Sequence, residues 1–82
     1  MNVKIEKIHA IRGLRREEIS KDEIEKKLRE GWTISVKINV DGQSGFMIIE
    51  DDDVDFMALR KDVIEKLMAK KNELLKQLLH VN

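Results

Sequence analysis

The densest set of groups that could hold a metal ion runs through Glu50, Asp51, Asp52, Asp53 and Asp55. Asp51, Asp53 and Asp55 stand where positions one, three and five of an EF-hand loop would supply oxygen ligands, and Asp62 falls at position twelve. The pattern fails at position six, where the sharp turn needs a glycine and the chain has Phe56. Asp62 is also shorter than the usual bidentate glutamate, and no helix is expected ahead of the loop. These carboxylates are therefore read as negative charge at the start of a helix, where the backbone dipole favours it. No metal and no other cofactor is assigned.

Nucleophilic catalysis would need serine, histidine and a carboxylate in concert. Ser20 is committed to a helix cap, Ser35 lies in mid-strand and Ser44 tops a hairpin. The two histidines are His9, in a first strand, and His80, in the last turn of the final helix. A lone histidine in an apolar pattern is more often a packed residue than a base. With 82 residues so arranged there is little room for an enclosed pocket. The chain is read as non-enzymatic, with no catalytic residue.

Gly42-Gln43-Ser44-Gly45 has the G-x-x-G form of the KH-domain loop that clamps a nucleic-acid backbone. That loop joins two helices, whereas strands are expected on both sides here. Nor does a lysine–serine or lysine–threonine pair follow it to open a phosphate-cradling helix. Arg12, Arg15 and Arg16 around Gly13, with Lys26, Lys27 and Arg29 on the next helix, form the most suggestive basic cluster for gripping phosphates. Against this, Glu17 and Glu18 follow at once, and no tyrosine or exposed phenylalanine interleaves to stack on bases. A small nucleic-acid-associated regulator using Arg12, Arg15 and Arg16 is thus the alternative reading.

The elements that would position these groups begin with Val3 to Ile11, read as a strand with Val3, Ile5, His9 and Ile11 on one side and Lys7 interrupting. Ile5, Ile8 and Ile11 recur at three-residue spacing, which would also suit a helix. Ser20-Lys21-Asp22-Glu23 is a capping box, with Ile19 and Ile24 as its hydrophobic staple and Gly31 as the stop. It predicts a short helix from about Lys21 to Glu30. Trp32, Ile34, Val36, Ile38 and Val40 alternate with polar residues as a half-buried strand should. Asp41 to Gly45 supplies a hairpin loop of about five residues, and Phe46 to Glu50 returns as a strand apolar on both sides. That second side calls for cover by the N-terminal segment or another subunit.

From Asp55 to Val81 the pattern predicts one amphipathic helix, capped by Asp53 or Asp55, with Met57, Ile64, Leu67, Leu74 and Leu78 in a stripe. Its length would be roughly 35 to 40 Å, against a radius of gyration of about 12 Å for a chain this size. Met57 to Met68 would serve as the lid of the sheet. Lys71 interrupts the stripe and disfavours a long coiled coil, leaving Leu74, Leu75, Leu78 and Leu79 as a partner-binding patch, with Met47 and Ile49 as a second.

Composition narrows the class. A single domain of this size is marginal in stability. With no cysteine, disulfides and thiolate metal sites are excluded, so oligomerisation rises as a stabilising device. Charged residues make up 39%, and 16 basic side chains balance 16 acidic ones. Net charge therefore points to neither nucleic acid nor membrane. Locally, residues 1–31 hold nine basic and seven acidic groups, 32–59 one and six, and 60–82 six and three. That dipolar distribution suits solvated faces, self-association or an anionic partner. No run is long and apolar enough for a signal peptide or a bilayer span, and a cytoplasmic protein is expected.

The expected fold is α+β: a small two-layer domain with a largely antiparallel three-stranded sheet, in the order β-α-β-β-α, and a long C-terminal helix. Residues 1–82 form a single domain, with 71–82 extending into an oligomer interface. The leading function is a non-enzymatic protein-binding or regulatory module, homodimeric through the C-terminal helix and contacting a further, unknown protein. A viral or mobile-element accessory that inhibits a host protein is another alternative, which the residues do not rank.

Overall fold

The computed structural model describes residues 1–51 and 53–79; the roles expected of Asp52, His80 and Val81 lie outside the described residues. The elements are β1 (Val3–Arg12), β2 (Arg15–Glu18), a 3-10 turn (Lys21–Glu23) leading into α1 (Ile24–Arg29), β3 (Thr33–Val40), β4 (Gln43–Glu50), β5 (Asp53–Met57), α2 (Lys61–Ala69) and α3 (Lys71–Leu79). The strands form one antiparallel sheet in the order β2-β1-β3-β4-β5. The expected three-stranded sheet with a long C-terminal helix is therefore corrected to five strands and short helices, in a single small α+β domain.

Both additional strands lie at the edges. β2 is Arg-Arg-Glu-Glu and carries no apolar alternation, yet the two-residue turn Gly13-Leu14 places Arg15 opposite Arg12 and zips it onto β1. Gly13 takes φ 60, a left-handed value that suits glycine. β5 does alternate, with Val54 and Phe56 buried and Asp53, Asp55 and Met57 outward. Asp53 and Asp55 belong to this strand and do not cap a helix: Glu50 pairs with Asp53, and Asp51 adopts φ 50, a conformation aspartate tolerates.

The β3–β4 hairpin is tighter than expected. Val40 pairs with Gln43, so the loop is Asp41-Gly42 alone, with φ 50 and 90 as a type I′ turn requires. Gly45 lies inside β4, where a Cβ would overlap the Leu59 side chain and stand 2.9 Å from the Met57 carbonyl oxygen. In β1 the register slips between Ile5, opposite Ile38, and Lys7, opposite Lys37, leaving Glu6 as a bulge. Val3, Ile5, Ile8 and Ala10 thereby share the core side of the sheet, and the three-residue isoleucine spacing marks that bulge. His9 and Ile11 go to the other side.

The expected long helix is interrupted at both ends of α2. Ala58 takes φ 63 just after β5, and Arg60 is the N-cap. At Lys70 (φ −109, ψ 8) the backbone leaves helical geometry before α3 begins. Each nine-residue helix spans about 13 Å, and both fit over a body whose longest extent is 32 Å, with a radius of gyration of 12.1 Å. Val63 and Leu67 from α2, Leu74 and Leu78 from α3, and Ile24 from α1 close over Ile34, Val36 and Ile38 of the central strand. No described helix is long and apolar enough to cross a membrane.

At the start of α1, the Ser20 amide and hydroxyl both donate to Glu23 Oε1, at 3.1 and 3.2 Å. The Ser20 backbone N–H is the main reason the Glu23 carboxyl is held below its ordinary value, with Lys27 and Lys26 adding smaller electrostatic help.

Candidate interaction surface on the open face of the sheet

The shortest dimension of the molecule is 19 Å, which is room for one sheet and one helical layer at about 10 Å each. The core residues of all three helices join the side of β3 that carries Ile34, Val36, Ile38 and Val40. Among the described residues the other side carries no helix. Its cross-strand rows follow from the register: Arg16, Ile11, Thr33, Glu50 and Asp53 in one, and Glu18, His9, Ser35, Ile48 and Asp55 in the next. Lys7, Lys37, Phe46 and Met57 make the third.

Apart from the half-buried Ile11 on β1, the apolar groups on this face sit toward β4 and β5. Phe46 and Ile48 are half-buried, and Met57 is 53% exposed. A shallow depression of about 210 Å³ opens between Ile48, Met57 and the carboxylates of Glu50, Asp53 and Asp55. Charge on the face is segregated. Lys4, Lys7, Arg16 and Lys37 lie on the β2-β1-β3 side, with Glu18 bridged to Lys7 at 3.9 Å. The three acidic groups lie on β4 and β5, where Thr33 Oγ1 donates to Glu50 Oε1 at 3.4 Å. Among the described residues no group of three or more His, Cys, Asp or Glu has metal-holding geometry.

The sheet edges are poor templates for further pairing. Arg15 to Glu18 is a four-residue strand of charged side chains, a common way to blunt an edge. On β5, Asp55 Oδ1 accepts from the Phe56 N–H at 2.9 Å, capping an amide that faces away from β4. The broad surface, rather than either edge, is what the sheet offers to a partner.

The residues expected to bind a partner divide. Met47 and Ile49 are 1% and 2% exposed, and Leu74 and Leu78 are 8% and 1%, so all four are in the core of the single chain. Leu75 and Leu79 pack partly against that core. On β4 it is Phe46 and Ile48, not Met47 and Ile49, that face outward.

Two of the three arginines expected to form a phosphate-gripping loop come together, around Trp32. The Arg12 and Arg15 guanidinium carbons lie 4.8 and 5.4 Å from the ring centroid, and Lys27 Nζ lies 4.4 Å from it. These charges also have other partners. Arg15 and Lys27 clasp Glu17 at 3.3 and 3.1 Å, and Arg12 Nη1 donates to the Glu30 carbonyl at the end of α1. Arg16 is on the open face, so the three do not form one patch. Trp32, 4% exposed, is the lid of the core beneath these cations and not a stacking platform.

The stretch from β3 to the C-terminus, residues 33–82, matches the model of a protein family described as Domain of unknown function (DUF1902). The chain belongs to this family. Comparison with curated proteins and with solved structures finds no match to either. In this DUF1902 chain the family stretch contributes Phe46, Ile48, Met57 and the acidic flank of the open face, while Lys4, Lys7 and Arg16 come from the strands before it.

Proposed function

We propose that this chain is a non-enzymatic protein-binding module whose contact surface is the open face of its sheet. The observation that carries the reading is a five-stranded sheet with its described helices on one side and Phe46, Ile48 and Met57 on the other. A two-layer domain normally buries the apolar side of its sheet and leaves the far side polar. Here the far side keeps a cluster of large apolar side chains flanked by charge, the anatomy of a contact patch with a charged rim. The partner-binding role expected of the α3 leucines moves to this face, because Leu74 and Leu78 already complete the core. The nucleic-acid alternative has less support, since Arg12 and Arg15 are engaged with Trp32, Glu17 and Glu30 and stand apart from Arg16.

A photo-crosslinking side chain placed at Met57, and separately at Met68 on the helical side, tests the reading in the native cell. Covalent protein adducts from Met57 with few or none from Met68 support it. Adducts from neither position, or equally from both, overturn it.

A further inference from the structure

We propose that the open face is covered by a protein that seats an arginine side chain in the depression on β4 and β5. The proposal rests on the protein-binding reading of that face and adds the chemistry of the partner. The depression is graded along the strands. Its rows run from Glu50 beside Asp53, through Ile48 beside Asp55, to Phe46 beside Met57. Over the four residues of β4 between Glu50 and Phe46, about 13 Å, the surface thus passes from carboxylate to apolar. An arginine side chain has the same order, an aliphatic stem that lies on apolar surface and a charged head that does not.

The carboxylates fit that head. Asp53 and Asp55 are two residues apart on one side of β5, about 7 Å, and Glu50 stands directly across from Asp53, about 5 Å away. A planar guanidinium with five donors can bridge carboxylates at such separations, which the compact ammonium of lysine does less well. The charge is also left open by the chain itself. Among the described residues none of the three carboxylates has an ion pair, and Lys37, the cation of β3, lies beside Phe46 at the apolar end. Like charges directly opposite, as in Glu50 and Asp53, disfavour their own strand pair, and a seated guanidinium replaces that repulsion with a shared attraction. Size points to a single side chain: the depression is about 210 Å³, below the range of about 300 to 1,000 Å³ typical of small-molecule sites. Phosphates of a nucleic acid or an anionic bilayer would meet three carboxylates here. Arginine in a partly apolar recess is a common anchor of protein interfaces. Arg16 and the lysines, beyond Thr33 and Ser35, face the rest of the partner's surface.

The test uses the crosslinking side chain at Met57 in the native cell, repeated from Ser44 so that the wall of the depression stays whole, with the attached fragments mapped by mass spectrometry. The expected adducts are with a protein other than this chain, on fragments that carry an arginine. D53N with D55N should lower the yield roughly tenfold or more, and D53K with D55K further, whereas D53E with D55E should keep most of it. Changing the mapped arginine to glutamate in the partner should abolish adducts with the wild type and restore them with D53K and D55K. Circular dichroism checks that each variant is folded, and the fragment map stands without the variants. Protein adducts undiminished by D53K with D55K, fragments without arginine, or adducts confined to a second copy of the chain overturn the proposal while leaving the protein-binding reading intact. Adducts with nucleic acid alone, or none that distinguish Met57 from Met68, overturn both.

Discussion

The two sides of the sheet are built from the same strands and differ in what faces them. On the helical side every position of β3, β4 and β5 that faces inward, apart from the half-buried Gln43 at the start of β4, is apolar or glycine and almost wholly buried. On the open side apolar residues gather toward β4 and β5, and charged ones of opposite sign fill the two flanks. The first side is ordered by volume, because core residues must fill space at crystal-like density. The second is ordered by charge and exposed apolar area, quantities that matter to stability only once something covers them. The proposed contact is assigned to the patterned side because the other is already filled by the helices.

The sharpest way to break this comparison is a matched pair on β4. Ile49→Ala removes a side chain 2% exposed in the core and should cost about 2–5 kcal/mol. Ile48→Ala, one residue away on the open side, should cost about 1 kcal/mol or less in the monomer. Urea denaturation at low protein concentration measures both, and equal losses would mean that the sides are not distinct.

Gly45 probes the same boundary by overfilling. Its added Cβ would run into Leu59 and the Met57 carbonyl, so Gly45→Ala should cost about 1–3 kcal/mol. Combining it with Leu59→Ala should recover part of that loss, a non-additivity that a denaturant-based double-mutant cycle resolves.

Gly45 also explains which side of β4 was legible in the sequence. Read as the last residue of a five-residue loop, it makes Val40 the partner of Phe46, which puts Phe46 and Ile48 inside and Met47 and Ile49 out. The two-residue Asp41-Gly42 turn makes Gln43 the partner instead, an odd shift of three that moves every side chain of β4 to the other face. The alternation of β3, the short helix after Ser20 and its stop at Gly31 were readable because each is encoded by neighbours in sequence. β2 was not, since Arg-Arg-Glu-Glu becomes a strand only by pairing with β1. The long helix failed for a related reason. Met57, Ile64, Leu67, Leu74 and Leu78 fit a helical stripe, and nothing local announces the left-handed Ala58 or the break at Lys70. The charge segregation of the open face needs the full strand order, which no single stretch contains.

A smaller effect separates the two sides by their cations. Lys27, over Trp32 and bonded to Glu17, is 18% exposed in its side chain. Lys27→Met should therefore cost about 1 kcal/mol through lost cation–π and ion-pair contact. Arg16 has no ion pair among the described residues, so Arg16→Met should leave monomer stability within about 0.5 kcal/mol. Its effect should appear instead as fewer protein adducts from the crosslinker at Met57. If Arg16→Met destabilised the monomer as much as Lys27→Met, the assignment of charge to structure on one side and to contact on the other would fail.

The smallest expected effect is confined to the helical side and is set by pH. Ser20 holds the Glu23 carboxyl below its ordinary value of 4.5 by donating to the ionised form. The folded state therefore favours the charged carboxylate more than the unfolded chain does, and the stabilisation is fully present above the unfolded pKa. It is lost as pH falls through the lowered folded value. Glu23→Gln should then melt slightly below the wild type at neutral pH, with the gap shrinking through the carboxylate range and closing in more acidic solution. Because Glu23 stands at the start of α1, its loss should leave the Met57 crosslinking yield unchanged at neutral pH. A gap that widened on acidification would contradict the cap's charge logic, and a change in Met57 crosslinking would tie the open face to α1 in a way that the two-sided architecture does not allow.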